Sequence, residues 1–306
     1  RRSSDLIRIA SRRSNLALRQ VEILKECFTE DIETHIVEVI TSGDQVLDRS
    51  LADIGGKGLF IKELENTILK DNADIAVHSM KDMETEIAPN TKIAGVLPRG
   101  NRYDVLLGEY DTLDDLPNNA VVGTSSVRRA AFAKSYRPDL KIKLLRGNVL
   151  TRIEKLNNGL FDAIILAKAG LDRLKIDLGC IIPKEIIPPA SSQGIIAIQS
   201  TTNKKTKLES TINKIFLNIN DTNTYLEALA ERSMLKTLDG TCRSPISSSA
   251  YIINDEDLFL YGAIARPDGS KVIKSEIKGS KKDAILLGEQ LGKELIAKSI
   301  GEIIFD

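Results

Sequence analysis

Basic residues recur in this chain just beyond segments that read as β-strands. Ser11-Arg12-Arg13-Ser14 follows Leu6–Ala10, and Ser79-Met80-Lys81-Asp82 follows Asp74–His78. Thr124-Ser125-Ser126-Val127-Arg128-Arg129 follows Ala120–Gly123. Arg146-Gly147-Asn148 follows Ile142–Leu145, with Arg152 a turn further on, and Lys168-Ala169-Gly170-Leu171-Asp172-Arg173 follows Ala163–Ala167. Doubly wound sheets bind ligands beyond the carboxyl ends of their strands. A guanidinium there can grip a carboxylate with two hydrogen bonds, and a helix start adds free N–H groups and a positive dipole end. One arginine near a helix start is ordinarily a solvated surface residue. Five strand ends with cations at equivalent positions predict a polyanionic ligand in a cleft between two domains. Asp82 is the one conspicuous acid on that rim.

Other reactive side chains carry weaker signals. Gly55-Gly56-Lys57-Gly58 lacks the spacing of a phosphate loop and the Ser/Thr after its Lys, so it reads equally as a hinge or an anion cradle. His78 lies in an apolar strand, where a buried, hydrogen-bonded structural role outweighs acid–base chemistry. His35 alternates with Ile36 and Val37 as a half-exposed strand residue. Cys27 fits a helix-side packing position and Cys180 a domain-edge turn, both as inert thiols. Cys242 lies outside any periodic pattern, in Gly-Thr-Cys-Arg-Ser-Pro, and pattern alone leaves it open between an idle loop thiol and a functional one.

The elements that would position these residues alternate. Ser14 can cap a helix with Ala17, Val21, Leu24 and Phe28 on one face. His35–Ile40 reads as a strand, and Gly55–Gly58 opens a helix with Ile61, Leu64 and Ile68 inward. This βαβ rhythm predicts a mostly parallel, doubly wound sheet. Beyond a linker at Pro98–Arg102 the rhythm repeats: strand Ala120–Gly123, a helix from Ser126 to Tyr136, strand Ile142–Leu145, a helix around Leu150–Leu156 and strand Ala163–Ala167. After Ile187–Gln193, strand Gly194–Gln199 could cross back to the first domain. A helix from Asn223, with Leu226, Leu229, Ala230 and Met234 on one side, stops at Gly240 in left-handed geometry. Strands Ala250–Ile253, Leu258–Ala265 and Lys271–Lys278 and a helix from Lys282 to Lys298 complete a small α+β domain. The expected fold class is therefore α/β, with two doubly wound domains (1–98 with 195–218, and 99–194) and a C-terminal α+β domain (219–306).

Bulk composition agrees. The chain has 306 residues, 42% hydrophobic and 28% charged, which suits a folded globular protein of more than one domain. Its 43 basic and 43 acidic residues cancel, and it has 4% aromatic residues and no Trp. A broad nucleic-acid surface would need a sustained positive field and stacking rings, so no nucleic-acid partner is expected. No apolar run approaches the roughly 18 residues of a membrane span, and the N-terminal residues lack a signal-peptide core. Three unpaired cysteines suit a cytoplasmic location, and no ligand set for a metal is visible.

The same segments resemble the hydroxymethylbilane synthase (porphobilinogen deaminase) family, in order and over nearly the whole chain. They include Arg8-Ile9-Ala10-Ser11-Arg12, Gly55-Gly56-Lys57-Gly58-Leu59-Phe60, His78-Ser79-Met80-Lys81-Asp82, Val122–Arg129, Leu145–Val149, and Cys242 with Pro245-Ile246 after it. The resemblance implies two domains like those of type-II periplasmic binding proteins plus a C-terminal α+β domain. It implies a dipyrromethane cofactor held by a thioether to Cys242, on which four porphobilinogen units are strung with loss of ammonia before water releases the tetrapyrrole. Asp82 matches the catalytic acid. Lys81, Asp82, Ser126, Arg128, Arg129, Arg146, Gly147 and Arg152 match cofactor-binding positions. Arg12, Ser14, Lys57, Phe60, Arg146, Arg152 and Arg173 match positions that bind the substrate and the growing oligopyrrole chain. Each pyrrole brings an acetate and a propionate, which accounts for the arginines. A monomer is expected.

The chain departs from the family pattern at Thr241 and Ser247 in place of glycines, at Met83-Glu84 in place of a Pro-containing pair, at Asp53 in place of Lys, and at Ser191–Gly194. A glycine position with positive φ would force a local change in the cofactor loop. The competing class is a non-catalytic receptor or sensor on the same two-domain clamp, which would need the arginines but neither Asp82 nor Cys242.

Overall fold

A computed structural model of the chain describes residues 6–30, 32–41, 61–202, 207–240 and 244–300. Its strands in chain order are β1 (Leu6–Arg12), β2 (Glu33–Val39), β3 (Ile75–Ser79), β4 (Thr91–Val96), β5 (Asp104–Gly108), β6 (Val121–Gly123), β7 (Lys141–Lys143), β8 (Ala163–Ala167), β9 (Cys180–Ile181), β10 (Ile196–Thr201), β11 (Ile246–Ile252), β12 (Asp257–Ala265) and β13 (Val272–Ser280). The described residues up to Gly100, with those of Ile195–Tyr225, form one compact unit. Asn101–Gly194 and the described residues from Leu226 on form a second.

In the first unit the strand order is β2-β1-β3-β10-β4. β2, β1 and β3 are parallel, because helices return the chain between them. Side chains alternate across this sheet. Ile7, Ile9, Ile75 and Val77 meet Val21 and Leu24 of helix Asn15–Lys25 and Ile212 and Phe216 of helix Lys207–Ile219. Ala10 and Ala76 face the other way, under Leu64 and Ile68 of helix Lys62–Leu69. Small residues on that face let the helix lie close to the sheet.

The second unit repeats the plan with strand order β7-β6-β8-β5-β9. β7, β6 and β8 are parallel, and β5 runs antiparallel to β8 and β9. Both sheets thus hold three parallel strands, then an antiparallel one, then an edge strand. The antiparallel strand is in each case the first strand after the chain passes from the other unit, β5 after β4 and β10 after β9. The expectation of mostly parallel sheets is corrected accordingly, since β4, β5 and β9 escape a reading by periodicity.

The C-terminal α+β part is an antiparallel sheet β11-β12-β13 covered by helices Thr222–Thr237 and Ala284–Ser299. Ala263 and Ala265 of β12 share a core with Leu106 of β5 and Phe132 of helix Val127–Tyr136. Gly269 at the β12–β13 turn has φ +80°, and a Cβ there would stand 2.7 Å from the Ala131 carbonyl. Only glycine satisfies both the left-handed turn and that approach. Helix Thr222–Thr237 ends one residue earlier than its expected stop: Asp239 takes the left-handed conformation (φ 48°), while the Gly240 N–H donates to Leu235 O at 2.9 Å. Aspartate tolerates that region better than most side chains. No helix among the described residues is long and apolar enough to cross a membrane.

Candidate active site

Parallel neighbours β1 and β3 bring their carboxyl ends to one edge of the first sheet. Arg12 is half-buried and is the last residue of β1, which runs two residues beyond the expected Ala10. Ser14 caps the next helix, its Oγ accepting the Ala17 N–H at 3.3 Å. Beyond β3 comes a 3-10 turn, Met80–Asp82. Met80 and Met83 are buried on either side of it, and the Met80 N–H donates to Ile195 O at 3.0 Å. Two apolar pegs therefore close the turn without the proline of the family pattern. Lys81 and Asp82 between them stay half-buried. No hydrogen bond or ion pair joins the Asp82 carboxylate to another described residue.

The second sheet gathers its cations at the ends of β6, β7 and β8. Ser126 caps helix Val127–Tyr136, accepting the Arg129 N–H at 3.3 Å, and so lays Arg128 and Arg129 into its first turn. Both are buried and converge on one carboxylate. Arg128 Nη2 meets Asp104 Oδ2 at 2.6 Å, and Arg129 Nε and Nη2 meet Oδ1 at 3.1 and 2.8 Å. Arg128 Nη1 also donates to Pro188 O, and Arg129 Nη1 to Ile165 O at 3.0 Å. Gln193 Nε2 adds a bond to Asp104 Oδ1 at 3.0 Å. Burial opposes ionisation of Asp104, but the two guanidinium groups outweigh it and hold the carboxyl well below the usual carboxylate range. Asp104 opens a strand whose apolar run, Val105–Leu107, is short, and periodicity does not single it out. The signal that finds it is chemical: two adjacent arginines too buried to be solvated require an acid.

β7 ends at Lys143, short of the expected Leu145, and Arg146 follows, buried. Gly147 has φ +116°, and a Cβ there would meet Thr151 Cγ2 at 2.9 Å, so the turn into helix Val149–Asn157 requires glycine. Arg152 Nε donates to Gly147 O at 2.8 Å. Arg173 closes helix Lys168–Arg173 and donates to Gly194 O at 2.6 Å; burial brings its pKa down to about 10. Lys57, Phe60, Asp53, Thr241 and Cys242 lie outside the described residues. Ser247 does not need a glycine's freedom: it sits in β11 paired with Ala263, its Oγ donating to Pro189 O at 2.5 Å.

This donor set fits an anionic group. Two buried guanidinium groups share a single carboxylate, which leaves one positive charge over, and Arg128 Nε is buried with no hydrogen-bond partner. A buried charge in excess is costly until an anion meets it. Among the described residues no cluster could hold a metal ion.

His78 is buried, as expected, but its Nε2 has no hydrogen-bond partner. Burial, with the Arg12 charge adding to it, lowers its pKa to about 4 despite Gln199 alongside. The unfolded chain therefore takes up a proton near pH ~6.5 that the folded chain refuses until about pH 4. Stability should fall as pH drops through that window, by about 3 kcal/mol, and level off below it. His78→Gln should flatten this part of the curve. Urea midpoints at about pH 7.5 and about pH 4.5 check it, and equal losses in both proteins would refute it. Cys27 is exposed beyond its helix, not packed on it, and Cys180 lies in edge strand β9 with Sγ donating to Asp111 Oδ1 at 3.2 Å.

Two family models match the chain: "Porphobilinogen deaminase, dipyromethane cofactor binding domain" over residues 7–209 and "Porphobilinogen deaminase, C-terminal domain" over residues 225–297. Porphobilinogen deaminases from two strains of Buchnera aphidicola subsp. Acyrthosiphon pisum, Tuc7 and APS, are each 40% identical over 305 residues, covering 97% of this chain and 95% of theirs. Among solved structures, lipoprotein Tp32 from Treponema pallidum overlays 74% of this chain and 95% of its own at 12% identity and a TM-score of 0.41, too slight a likeness to carry argument. Sequence similarity of this extent, over both parts of the family pattern, is decisive: the chain belongs to the porphobilinogen deaminase family.

Proposed function

We propose that this chain is a hydroxymethylbilane synthase, a transferase that condenses four porphobilinogen molecules head to tail on a dipyrromethane primer joined by a thioether to Cys242. The observation that supports it best is the buried Arg128–Asp104–Arg129 cluster, whose uncompensated positive charge suits the acetate and propionate of a pyrrole. When bound, the dipyrromethane group supplies the pyrrole carbon at which the chain is extended. Lys81, Ser126, Arg128, Arg129, Arg146, Gly147 and Arg152 hold its carboxylates and rings. Arg12, Ser14, Lys57, Phe60 and Arg173, with Arg146 and Arg152, receive porphobilinogen and the lengthening product.

Each condensation breaks the C–N bond of the substrate's aminomethyl group, releases ammonia and makes a C–C bond. Positive charge develops on the substrate as ammonia leaves. Asp82, held out by its two methionine pegs, can accept pyrrole N–H groups and offset that charge, then take up the proton displaced from the attacked carbon. We further read the chain as three domains (1–98 with 195–218, 99–194 and 219–306), monomeric and cytoplasmic, with no nucleic-acid or membrane partner.

Intact-mass analysis of freshly purified protein tests this reading. The expected mass exceeds the sequence by two linked pyrrole units and climbs in single-unit steps when porphobilinogen is added. A mass equal to the bare sequence before and after that addition would favour the receptor class instead.

A further inference from the structure

Of the stretches that carry the chain between its compact units, one ends at Asp104 and another runs from Pro188 to Gly194. In the second unit both are tied to Glu231, and the first is tied to Glu227 as well. Arg102 is nearly buried, and its Nη2 donates to Glu227 Oε2 at 2.9 Å. Its Nη1 donates to Ser249 Oγ at 3.2 Å and to Ala250 O, and lies 4.0 Å from Glu231 Oε1. The guanidinium rests 4.0 Å above the Tyr251 ring. Glu231 is fully buried; its Oε1 accepts the Ala250 N–H at 2.7 Å and its Oε2 the Ser192 N–H at 2.6 Å. Ser192 itself has φ 59°, a left-handed conformation unfavourable for serine that this bond helps to hold.

Glu227 and Glu231 are one turn apart on helix Thr222–Thr237, the last helix before Cys242 in the chain, and Ser249 and Ala250 belong to β11, the first strand after it. Gln193 extends the network, donating to Arg102 O at 2.7 Å and to Asp104 Oδ1 at 3.0 Å. One hydrogen-bonded chain therefore runs from the carboxylate that orients Arg128 and Arg129 to the two elements that flank Cys242. The geometry points to Arg102 and Glu231 as positioning residues: they strap both connecting stretches to the helix and strand that present the primer, and so set its carboxylates against the arginine pair.

The strap depends on acceptor count. Glu231 satisfies one backbone N–H with each oxygen, whereas glutamine offers one oxygen and turns an NH2 toward the other donor. Glu231→Gln therefore breaks the bridge that joins Ser192 to Ala250, and loosens both stretches, with almost no change in volume. The inference rests on Cys242 carrying the primer, so its test reads both.

Hydrogen exchange by mass spectrometry is followed on the purified protein in the wild type, in Glu231→Gln and in Arg102→Met/Glu227→Gln. The double variant removes both partners of an ion pair and keeps a foldable protein if the single one fails. The expected result is faster exchange in 188–194 and in 244–252 together, with the two-unit mass excess retained. In parallel, kcat should fall roughly tenfold to a hundredfold while KM for porphobilinogen holds, as expected when a reacting group is displaced by about 1 Å. Exchange that rises in one stretch alone, or an unchanged kcat, overturns the strap. A wild type without the mass excess refutes the primer instead, and the coupled exchange still decides whether the strap exists.

Discussion

Asp82→Asn should retain the two-unit mass excess yet lose turnover by roughly 10²–10⁴-fold, the range of a positioned acid–base group. The substitution is nearly isosteric, and Met80 and Met83, which hold the turn, are untouched. The Asp82 carboxylate has no bond to a described residue for the amide to break, so stability should change little. On the proposed role of Asp82, what disappears is the negative charge that offsets the cation left as ammonia departs, and with it the capacity to accept a proton. On the proposed assignment the arginines bind porphobilinogen, so its binding should weaken far less than kcat. Intact mass, kcat and KM measured on one preparation check this. A variant turning over at the wild-type rate would remove Asp82 from the chemistry, and one that lost the mass excess would move it to primer loading.

Segments with one clear period are the ones that sequence reasoning reaches. Ala163–Ala167 is a strand in both descriptions, and Ser14 and Ser126 cap the helices expected of them. These features depend on neighbours within a few residues, so local chemistry decides them. β5 escapes because its apolar run is brief and its partners, β8 and β9, lie far along the chain. β9 has two residues and no period at all. Helix Lys207–Ile219 also carries the helical spacing, with Ile212, Ile215, Phe216 and Ile219 along it, yet it is missing from the expected elements. The common plan of the two sheets is invisible as a repeat, since it lies in strand order and not in residue identity.

The site divides in the same way. Cations at the carboxyl ends of parallel strands are readable from topology alone, and Arg12, Lys81, Arg128, Arg129 and Arg146 stand at or just past such ends. Their division of labour is not. Arg128 and Arg129 look alike in sequence to Arg12, yet they are buried on Asp104 while Arg12 remains half-buried at a sheet edge. Only tertiary pairing shows that an arginine is committed to a carboxylate, and Asp104 and Glu231 enter through that pairing.

Cys242→Ser should abolish both the mass excess and activity, whereas Cys27→Ser and Cys180→Ser should keep both. A thiol near its usual pKa of about 8.5 supplies some thiolate at neutral pH, and thiolate is the nucleophile that forms a thioether; a serine hydroxyl offers no comparable anion. Neither other cysteine is equivalent. Partial desolvation of the otherwise exposed thiol, with Glu26 nearby, raises the Cys27 pKa, and the hydrogen bond to Asp111 raises that of Cys180, so both are held away from the reactive form. A second consequence follows from the charge left over at Arg128 and Arg129. Without the primer's carboxylates this buried excess is unmet, so the serine variant should melt several degrees below the loaded protein. Each kcal/mol shifts Tm by about 2–4 °C in a domain of roughly 200 residues. Citrate or phosphate should recover part of that loss by supplying an anion, and should do little for the loaded wild type. Calorimetry of the two proteins with and without citrate checks the pairing. If the serine variant melts with the loaded protein and ignores the added anion, the arginine cluster is neutralised from within the chain and does not hold the primer.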